Sequence, residues 1–261
     1  MSGLLAGKRA VISGVGPGLG RALALLFAAE GASTVLAARH PDVLDAIAEE
    51  VRAGGGEALC VTADITVPAD CDRLVAASTE ALGGIDVLVN NAFATGPREL
   101  LADIDMEEWR LPLEVNLIAT MRLSLAVAAQ MAAAGGGSIV MVGTQAMRRS
   151  EPRRGPYAAS KAALLSASRT LAAEWGPSGV RVNSVVPGHI WGPSLEAFFV
   201  TLAERRGTTP EEVHAGVART LPLRRLPTAG QVAEAAAFFA SERAAAITGQ
   251  SLDVNGGNWF D

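Results

Sequence analysis

The sequence is poor in cysteine and histidine, and neither residue forms a recognisable metal site. Cys60 and Cys71 are the only cysteines among 261 residues, and their spacing matches neither a Cys-x-x-Cys redox pair nor a zinc knuckle. His40, His189 and His214 are too scattered along the chain to predict a metal site. A chain of this length buries roughly 70–75% of its unfolded surface, so its core needs no disulfide or metal. The low cysteine content indicates a reducing compartment.

The sequence also lacks an excess of positive charge. Its formal net charge is −5 and its pI is near 5.3, which argues against a general nucleic-acid binder. Residues Met1–Lys8 lack the charged start and apolar core of a signal peptide. The most apolar long stretch, Val115–Ala134, contains Asn116, Arg122 and Gln130, which suits a buried helix better than a membrane span. We therefore expect a soluble cytoplasmic protein with no nucleic-acid or membrane partner.

Short apolar runs alternate with segments of helical period, as in βαβ units around a parallel sheet. Both faces of each run are apolar, which predicts helices on both faces of the sheet. The predicted strands are Ala10–Ser13, Thr34–Ala38, Leu59–Thr62, Asp86–Val89, Ser138–Val142, Val180–Val185 and Ser251–Val254. The predicted helices are Leu19–Ala29, Pro41–Arg52, Pro68–Leu82, Met106–Ala133 and Tyr157–Trp175. The pattern predicts an α/β fold with a doubly wound parallel sheet of seven strands, formed by residues 1–261 as a single domain.

Glycines mark the predicted helix ends, and one long stretch near the C-terminal end departs from the strand–helix alternation. Five glycines stand where predicted helices should stop, namely Gly31, Gly54, Gly83, Gly135 and Gly176. The stretch Pro187–Leu226 breaks the alternation, since it is long and mixes prolines and aromatic residues with charged ones. We expect a lid or substrate loop over about residues 188–226, and His189 is a candidate to face its pocket.

A glycine-rich turn follows the first predicted strand. The segment Gly14–Gly20 reads Gly-Val-Gly-Pro-Gly-Leu-Gly and leads into a helix. Such glycines allow a tight turn and close approach of a pyrophosphate, whose charge then lies at the positive end of the helix. A nucleotide-triphosphate loop would close with Gly-Lys-Ser/Thr, whereas Gly20 is followed by Arg21 and Ala22. The turn therefore favours a dinucleotide site over a triphosphate site.

The end of the second strand bears on which dinucleotide binds. A site selective for NAD usually places a carboxylate there, on the adenosine ribose, but the sequence reads Ala37-Ala38-Arg39. The Arg39 guanidinium matches the oxygens of a 2′-phosphate, and Ala38 leaves room for it. This favours NADP(H) over NAD(H). Asp42 lies close enough to leave the alternative open.

The chain has one tyrosine and two lysines, and one pair of them shares a helix face. Tyr157 and Lys161 are four residues apart on a predicted helix. A free tyrosine titrates near pH 10, and a nearby ammonium favours the phenolate and brings proton transfer within range. This pair is the sharpest chemical signal in the sequence. Asn90 and Asn91 end the fourth strand, at the edge where cofactor crevices lie, or they cap a turn.

Together these residues resemble the short-chain dehydrogenase/reductase family, in its single-domain branch, over essentially the whole chain. The resemblance rests on Gly14-xxx-Gly18-x-Gly20, Asn90-Asn91-Ala92, Asn116, Tyr157-xxx-Lys161, Pro187-Gly188 and the closing segment Asp253–Gly257. It implies a Rossmann fold assembled as a homotetramer or homodimer. The reaction implied is hydride transfer between a nicotinamide cofactor and a carbonyl or secondary alcohol of a small molecule.

The resemblance also assigns roles to individual residues. Tyr157 would be the acid/base, Lys161 would hold the nicotinamide ribose, and Asn116 would anchor a water in the proton relay. The implied cofactor contacts are Ser13, Gly14, Gly18, Leu19 and Gly20 at the phosphates, Arg39, Asp64 and Ile65 at the adenosine, Asn91 on the inner ribose, and Pro187, Gly188 and Ile190 beside the nicotinamide.

Three positions depart from the family pattern. Thr144 stands where the family has a serine that donates to the substrate oxygen; its hydroxyl can keep that role, and Ser150 is the reserve. Phe93 replaces a glycine after Asn-Asn-Ala, and Gly192 replaces a threonine after Pro-Gly. These two changes affect the shape of the pocket and the contact with the carboxamide.

The family pattern does not account for four arginines ahead of Tyr157, namely Arg148, Arg149, Arg153 and Arg154. A positive field there would attract an anionic substrate, and the alternative is a solvated loop partly neutralised by Glu151. The sequence thus predicts an NADP(H)-preferring ketone or 3-oxoacyl-type reductase. The alternatives are an NAD-dependent alcohol dehydrogenase and a non-catalytic nucleotide-sensing protein.

Overall fold

A computed structural model describes residues 3–260 of the chain. Seven strands form one parallel sheet in the order β3-β2-β1-β4-β5-β6-β7. The strands are β1 Arg9–Ser13, β2 Ser33–Ala38, β3 Glu57–Thr62, β4 Val87–Asn90, β5 Gly137–Val142, β6 Val180–Pro187 and β7 Ser251–Val254. The predicted doubly wound sheet is confirmed, and its strand order reverses between β1 and β4.

The two faces of the sheet are buried in separate apolar layers, as the sequence predicts. In β1, Ala10 and Ile12 belong to one layer, which also contains Phe27 of the first helix. Val11 points the other way and packs with Leu88 and Leu123. Helices therefore cover both faces of the sheet. This explains why the central strands do not alternate between apolar and polar residues.

The helices are α1 Leu19–Ala29, α2 Pro41–Ala53, α3 Pro68–Leu82, α4 Arg110–Leu113, α5 Thr120–Ala133, α6 Gly155–Trp175, α7 Pro193–Arg206, α8 Pro210–Thr220 and α9 Ala229–Ala240. Four of the five predicted helices match an observed helix to within two residues at each end. Helix α9 is absent from the sequence prediction, which is therefore wrong there. The sequence pattern that could have predicted the start of α9 is Thr228-x-x-Gln231, which forms a capping box in the structure.

The fifth predicted helix, Met106–Ala133, is composite. A 3₁₀ turn at Met106–Trp109 leads into α4, a π-helical turn at Glu114–Ala119 follows, and α5 completes it. By length and hydropathy alone this segment is also long enough to cross a membrane, a test that core helices pass as well. Its residues Leu123 and Met131 are fully buried against the sheet.

The predicted helix stops are only partly right. Gly31, Gly83 and Gly135 have the positive φ expected of a helix stop. At the end of α2, however, φ is positive at Gly55 and not at Gly54. After α6 a 3₁₀ turn includes Gly176, and φ becomes positive only at Gly179.

The stretch predicted as a lid contains two helices, α7 and α8. They share a small apolar core that includes Phe199, Val213 and Leu221. The ring of Trp191 packs against Phe199, with centroids 5.8 Å apart, and against His214 at 4.4 Å. These helices lie next in sequence after the carboxyl end of β6, the edge of the sheet where the candidate site residues collect.

Candidate active site

A cleft of about 340 Å³ opens at the carboxyl ends of β1, β2 and β4, where the strand order reverses. Ligands of doubly wound sheets bind at this position. The cleft is lined by Gly14, Val15, Ala37, Ala38, Arg39, His40, Ala63, Asp64, Ile65, Asn91, Ala92, Phe93, Ala94, Leu111 and Val115. Five residues predicted to contact the cofactor are therefore brought together here, namely Gly14, Arg39, Asp64, Ile65 and Asn91.

The glycine-rich turn is shaped by close backbone packing. Gly14 has φ of +80°, and a Cβ atom there would lie 2.3 Å from the Ala92 nitrogen. The Asn91 side chain fixes the same contact by donating to the Gly14 carbonyl at 2.6 Å. At Gly18, by contrast, a Cβ atom would enter open space, and no side chain caps the first turn of α1. The first N–H groups of α1 are thus open to an anion, and the turn fits a dinucleotide pyrophosphate.

Two polar side chains at the ends of β1 and β4 are buried. The Ser13 side chain is completely buried at the end of β1. Within the described chain its Oγ has no hydrogen-bond partner. Asn90 is also buried, and its amide donates to the Ser124 hydroxyl at 2.9 Å. Asn90 therefore holds β4 to α5, while Asn91 faces the cleft.

Tyr157 and Thr144 meet at the far side of this edge. Tyr157 lies in the first turn of α6, and Thr144 follows β5. Burial raises the pKa of the Tyr157 phenol, and a hydrogen bond from the Thr144 hydroxyl opposes that rise, as do the charges of Arg154 and Arg98. The reserve residue Ser150 is exposed. Thr144 is the hydroxyl that the fold places beside the phenol.

Lys161 is buried one turn further along α6. Its Nζ donates to the Val142 carbonyl at 2.7 Å, and burial lowers its pKa to about 8. The sequence predicts that this ammonium favours the Tyr157 phenolate. That effect of Lys161 stays a prediction. Among the described residues, the charges that lower the pKa of the Tyr157 phenol are those of Arg154 and Arg98.

Asn116 lies in the π-helical turn and is fully buried. Its side-chain oxygen accepts from the Ala94 nitrogen at 2.9 Å, and its amide donates to the Ala94 carbonyl at 2.8 Å and to the Ser160 hydroxyl at 2.9 Å. The side chain therefore ties the loop after β4 to α6. A π-turn of this kind is frequent at functional sites.

The segment after β6 approaches other backbone closely. A Cβ atom at Gly188 would lie 2.9 Å from the Gln145 side-chain oxygen and 3.0 Å from Asn255. Pro187 ends β6 and is buried, and Ile190 packs against the core. The three residues predicted to flank the nicotinamide thus form a closely packed wall at the same sheet edge.

The four-arginine cluster predicted from the sequence is divided by the structure. Arg148 does not face the pocket, since its Nε lies 3.1 Å from the Asp253 carboxylate and its Nη2 donates to the Ser251 hydroxyl at 2.7 Å. It ties the loop after β5 to β7, so its inclusion in the cluster is wrong. Arg153 is exposed.

Arg154 does face the site, because its guanidinium carbon lies 5.7 Å from the Tyr157 ring centroid. A further arginine, Arg98, has no local sequence signal; it comes from the loop after β4, and its guanidinium carbon lies 5.7 Å from the Phe198 ring centroid. The departure at Phe93 has a visible consequence, since its ring centroid lies 6.5 Å from that of Tyr157.

These residues define a dinucleotide cleft joined to a threonine hydroxyl, a tyrosine phenol and a buried lysine, which is the constellation of a nicotinamide-dependent oxidoreductase. Residues 14–258 match a family model described as enoyl-(acyl carrier protein) reductase. The chain belongs to the short-chain dehydrogenase/reductase family. It is an NAD(P)-dependent enzyme that transfers a hydride between a nicotinamide and a carbonyl or secondary alcohol.

Individual relatives match over nearly their whole length. The 7α-hydroxysteroid dehydrogenase of Escherichia coli K12 is 34% identical over 253 residues, covering 97% of this chain and 94% of the relative. L-sorbose reductase from Gluconobacter frateurii, solved with NADPH and L-sorbose, superposes with a TM-score of 0.92 at 33% identity, covering 98% of both chains. A 7α-hydroxysteroid dehydrogenase solved with NADH and 7-oxo glycochenodeoxycholic acid gives 0.83 at 32% identity, covering 97% of this chain and 94% of the other. The relatives thus include binders of either nicotinamide cofactor.

Proposed function

We propose that the protein is a reductase of ketones or 3-oxoacyl-type substrates that prefers NADP(H). The observation that carries the cofactor preference is the end of β2, where Ala38 and Arg39 line the cleft. The position where a carboxylate would select NAD holds an arginine, whose fork matches phosphate oxygens. A relative solved with NADPH supports the same preference, and one solved with NADH supports the NAD-dependent alternative.

The proposed acid/base is Tyr157, assisted by Thr144. In the reductive direction both hydroxyls donate to the carbonyl oxygen, and Tyr157 then gives up its proton to the forming alcohol. The bound nicotinamide supplies the hydride. Lys161 holds the nicotinamide ribose with the donors that Val142 leaves free.

Asn116 completes the proposed proton relay by anchoring a water. Its side-chain amide already makes three contacts within the protein. We therefore assign the water to the main-chain carbonyl of Asn116, which lies in a π-turn of the kind frequent at functional sites.

The remaining cofactor contacts are proposed on the same basis. Gly14, Gly18, Leu19, Gly20 and the backbone of Ser13 bind the phosphates. Asp64 and Ile65 contact the adenine, Asn91 contacts the inner ribose, and Pro187, Gly188 and Ile190 flank the nicotinamide. Residues 1–261 form one domain in this proposal, and the helices α7 and α8 form the lid over the substrate. We place the protein in the cytoplasm.

The experiment that tests the cofactor preference is a titration with NADPH and NADH at fixed salt, followed by nicotinamide emission. We expect NADPH to bind about tenfold tighter, or about 1.4 kcal/mol. Arg39→Gln should remove most of that difference and leave NADH affinity unchanged. Arg52→Gln, which removes an exposed arginine from the end of α2, serves as the matched control. Tighter binding of NADH by the wild-type protein would contradict the proposal.

A further inference from the structure

The substrate side of Tyr157 is bordered by arginines from two separate loops. Arg154 precedes α6 and places its guanidinium carbon 5.7 Å from the Tyr157 ring centroid. Arg98, from the loop after β4, lies 5.7 Å from the ring of Phe198 on α7. Arg149 lines a cavity of about 650 Å³ together with His189 and Glu151. Arg154 and Arg98 therefore act together on the Tyr157 phenol, and all three arginines act on the neighbouring His189.

Among the described residues, these charges are only partly balanced. In the part of the chain that the structure describes, Glu151 is the one carboxylate in ion-pair range of the three, with its Oε2 3.8 Å from the Arg154 Nε. Three arginines against one glutamate leave a surplus of two positive charges. The surplus persists in a chain whose net charge is −5, so it is a local feature and not a consequence of overall composition.

Apolar surface lies directly beside the cations. Phe93 and Phe198 are 60% and 44% exposed, although large aromatic side chains are usually well covered. Phe93 faces the Tyr157 ring, and Phe198 lies under the guanidinium of Arg98. A ligand in this place would meet two aromatic faces and a cationic border at once.

We infer, on the basis of the proposed function, that the carbonyl substrate is an amphiphilic acid whose carboxylate is bound by Arg154 and Arg98 beside Tyr157. Phe93 and Phe198 contact its apolar part. Charge-assisted bonds from a guanidinium to a carboxylate are the strong ones in a partly desolvated site. A neutral substrate of the same shape would leave the arginines unpaired there, which disfavours it.

The electrostatics of a neighbouring side chain agree with this arrangement. Burial lowers the pKa of His189, and the charges of Arg154, Arg149 and Arg98 lower it further against the opposing effect of Glu151. The three arginines therefore create a positive potential in this cavity, which disfavours a further cation at His189.

The test compares an acid with its neutral isostere. The probes are β-benzoylpropionate, an aryl ketone with a carboxylate, and its primary amide. Each is titrated by calorimetry into the protein saturated with oxidised cofactor, so that binding is measured without turnover. We expect the carboxylate to bind about tenfold tighter than the amide, with the difference shrinking as salt is raised. Equal affinities, tighter binding of the amide, or binding of neither probe would overturn the inference.

Variants then assign the effect to the two arginines. Arg154→Gln and Arg98→Gln should each reduce the preference for the carboxylate several-fold and leave amide binding unchanged. Arg169→Gln removes the same charge from an exposed position further along α6 and should preserve the preference. A preference that survives both arginine variants would also overturn the inference. Thermal unfolding of each variant checks that a lost preference does not reflect lost folding.

The same probes separate this inference from the proposed function. If the amide is reduced by NADPH at a rate comparable to the carboxylate, and the two bind equally, the reductase assignment holds and the anion site fails. If the carboxylate binds with an arginine-dependent preference and neither ketone is reduced, the anion site holds and the proposed reductase function fails.

Discussion

The Tyr157 phenol interacts with the Thr144 hydroxyl and with the charges of Arg154 and Arg98, and Nζ of Lys161, four residues along, donates to the Val142 carbonyl. The spacing of Tyr157 and Lys161 could be read from the sequence because both are rare and lie one helical turn apart. The contribution of Arg98 could not, because it comes from a loop far away in sequence and no local pattern marks it. Arg148 shows the opposite case. Its place next to Arg149 in the sequence predicts a pocket residue, but in the structure its side chain pairs with Asp253 of β7.

The first prediction concerns the pH dependence of alcohol oxidation, in which Tyr157 must accept a proton. Arg154 lowers the pKa of the phenol, opposing the effect of burial. Removal of that charge therefore raises the pKa of Tyr157 further, and the proton acceptor becomes available only at higher pH. In Arg154→Gln the rise of kcat/KM with pH for a neutral secondary alcohol should move to higher pH. An unchanged midpoint would show that Arg154 does not act on the phenol.

At the scale of the elements, the sequence predicted the strands well and the segment after β6 poorly. The strands are recognisable because apolar β-branched runs end at glycines or polar residues. Helices α7 and α8 were not recognised because Pro193 and Pro210 suggested irregular structure, whereas each is the first residue of its helix. Proline is tolerated at that position because the N–H it lacks would have no partner in the helix.

The composite helix is predicted from the sequence as one continuous α-helix over Met106–Ala133. A π-turn keeps the chain helical and only shifts the phase of its apolar period, so the segment is predicted as one helix. In the structure, the buried Asn116 of this turn contacts Ala94 and Ser160.

The second prediction concerns the ion pair between Arg148 and Asp253, which joins the loop after β5 to β7. Their side chains are only 7% and 19% exposed. Burial raises the pKa of Asp253, and Arg148 opposes that rise. Arg148→Met leaves the carboxylate without its cation and should cost about 3 kcal/mol of unfolding free energy near pH 7.

The pH dependence of that loss provides its control. Without Arg148 the pKa of Asp253 rises further, so the carboxyl group takes up a proton as the pH falls and its buried charge disappears. The stability difference between Arg148→Met and the wild-type protein, measured by chemical denaturation, should therefore narrow at lower pH. A loss that is constant with pH would indicate that packing of the arginine stem, and not its charge, is responsible.

At the scale of the whole molecule, several large apolar side chains remain exposed. Along the composite helix, Ile118 and Leu125 are 47% and 44% exposed. Near the end of the chain, Trp259 and Phe260 are also exposed. Exposed apolar residues grouped along one element are typical of a protein interface, and they support the homotetramer or homodimer expected from the family resemblance.

The third prediction follows from that exposure. Leu125→Glu places a charge on the composite helix. The charge costs little free energy where Leu125 is exposed in a monomer, and much where an apolar interface buries it. Light scattering coupled to gel filtration should show the wild-type protein as a tetramer or dimer and the variant as a smaller species. Ser166→Glu, at an exposed position of α6, is the control for an added negative charge. A wild-type monomer would contradict the proposed assembly.

The central claim is that Tyr157 transfers the proton in a nicotinamide-dependent carbonyl reduction. The most direct test follows oxidation of NADPH with a panel of ketones, for the wild-type protein and for Tyr157→Phe, which removes one hydroxyl and preserves the ring. We predict that the variant loses turnover by about a thousandfold or more while its affinity for NADPH is unchanged. Turnover by Tyr157→Phe near the wild-type rate would contradict the claim.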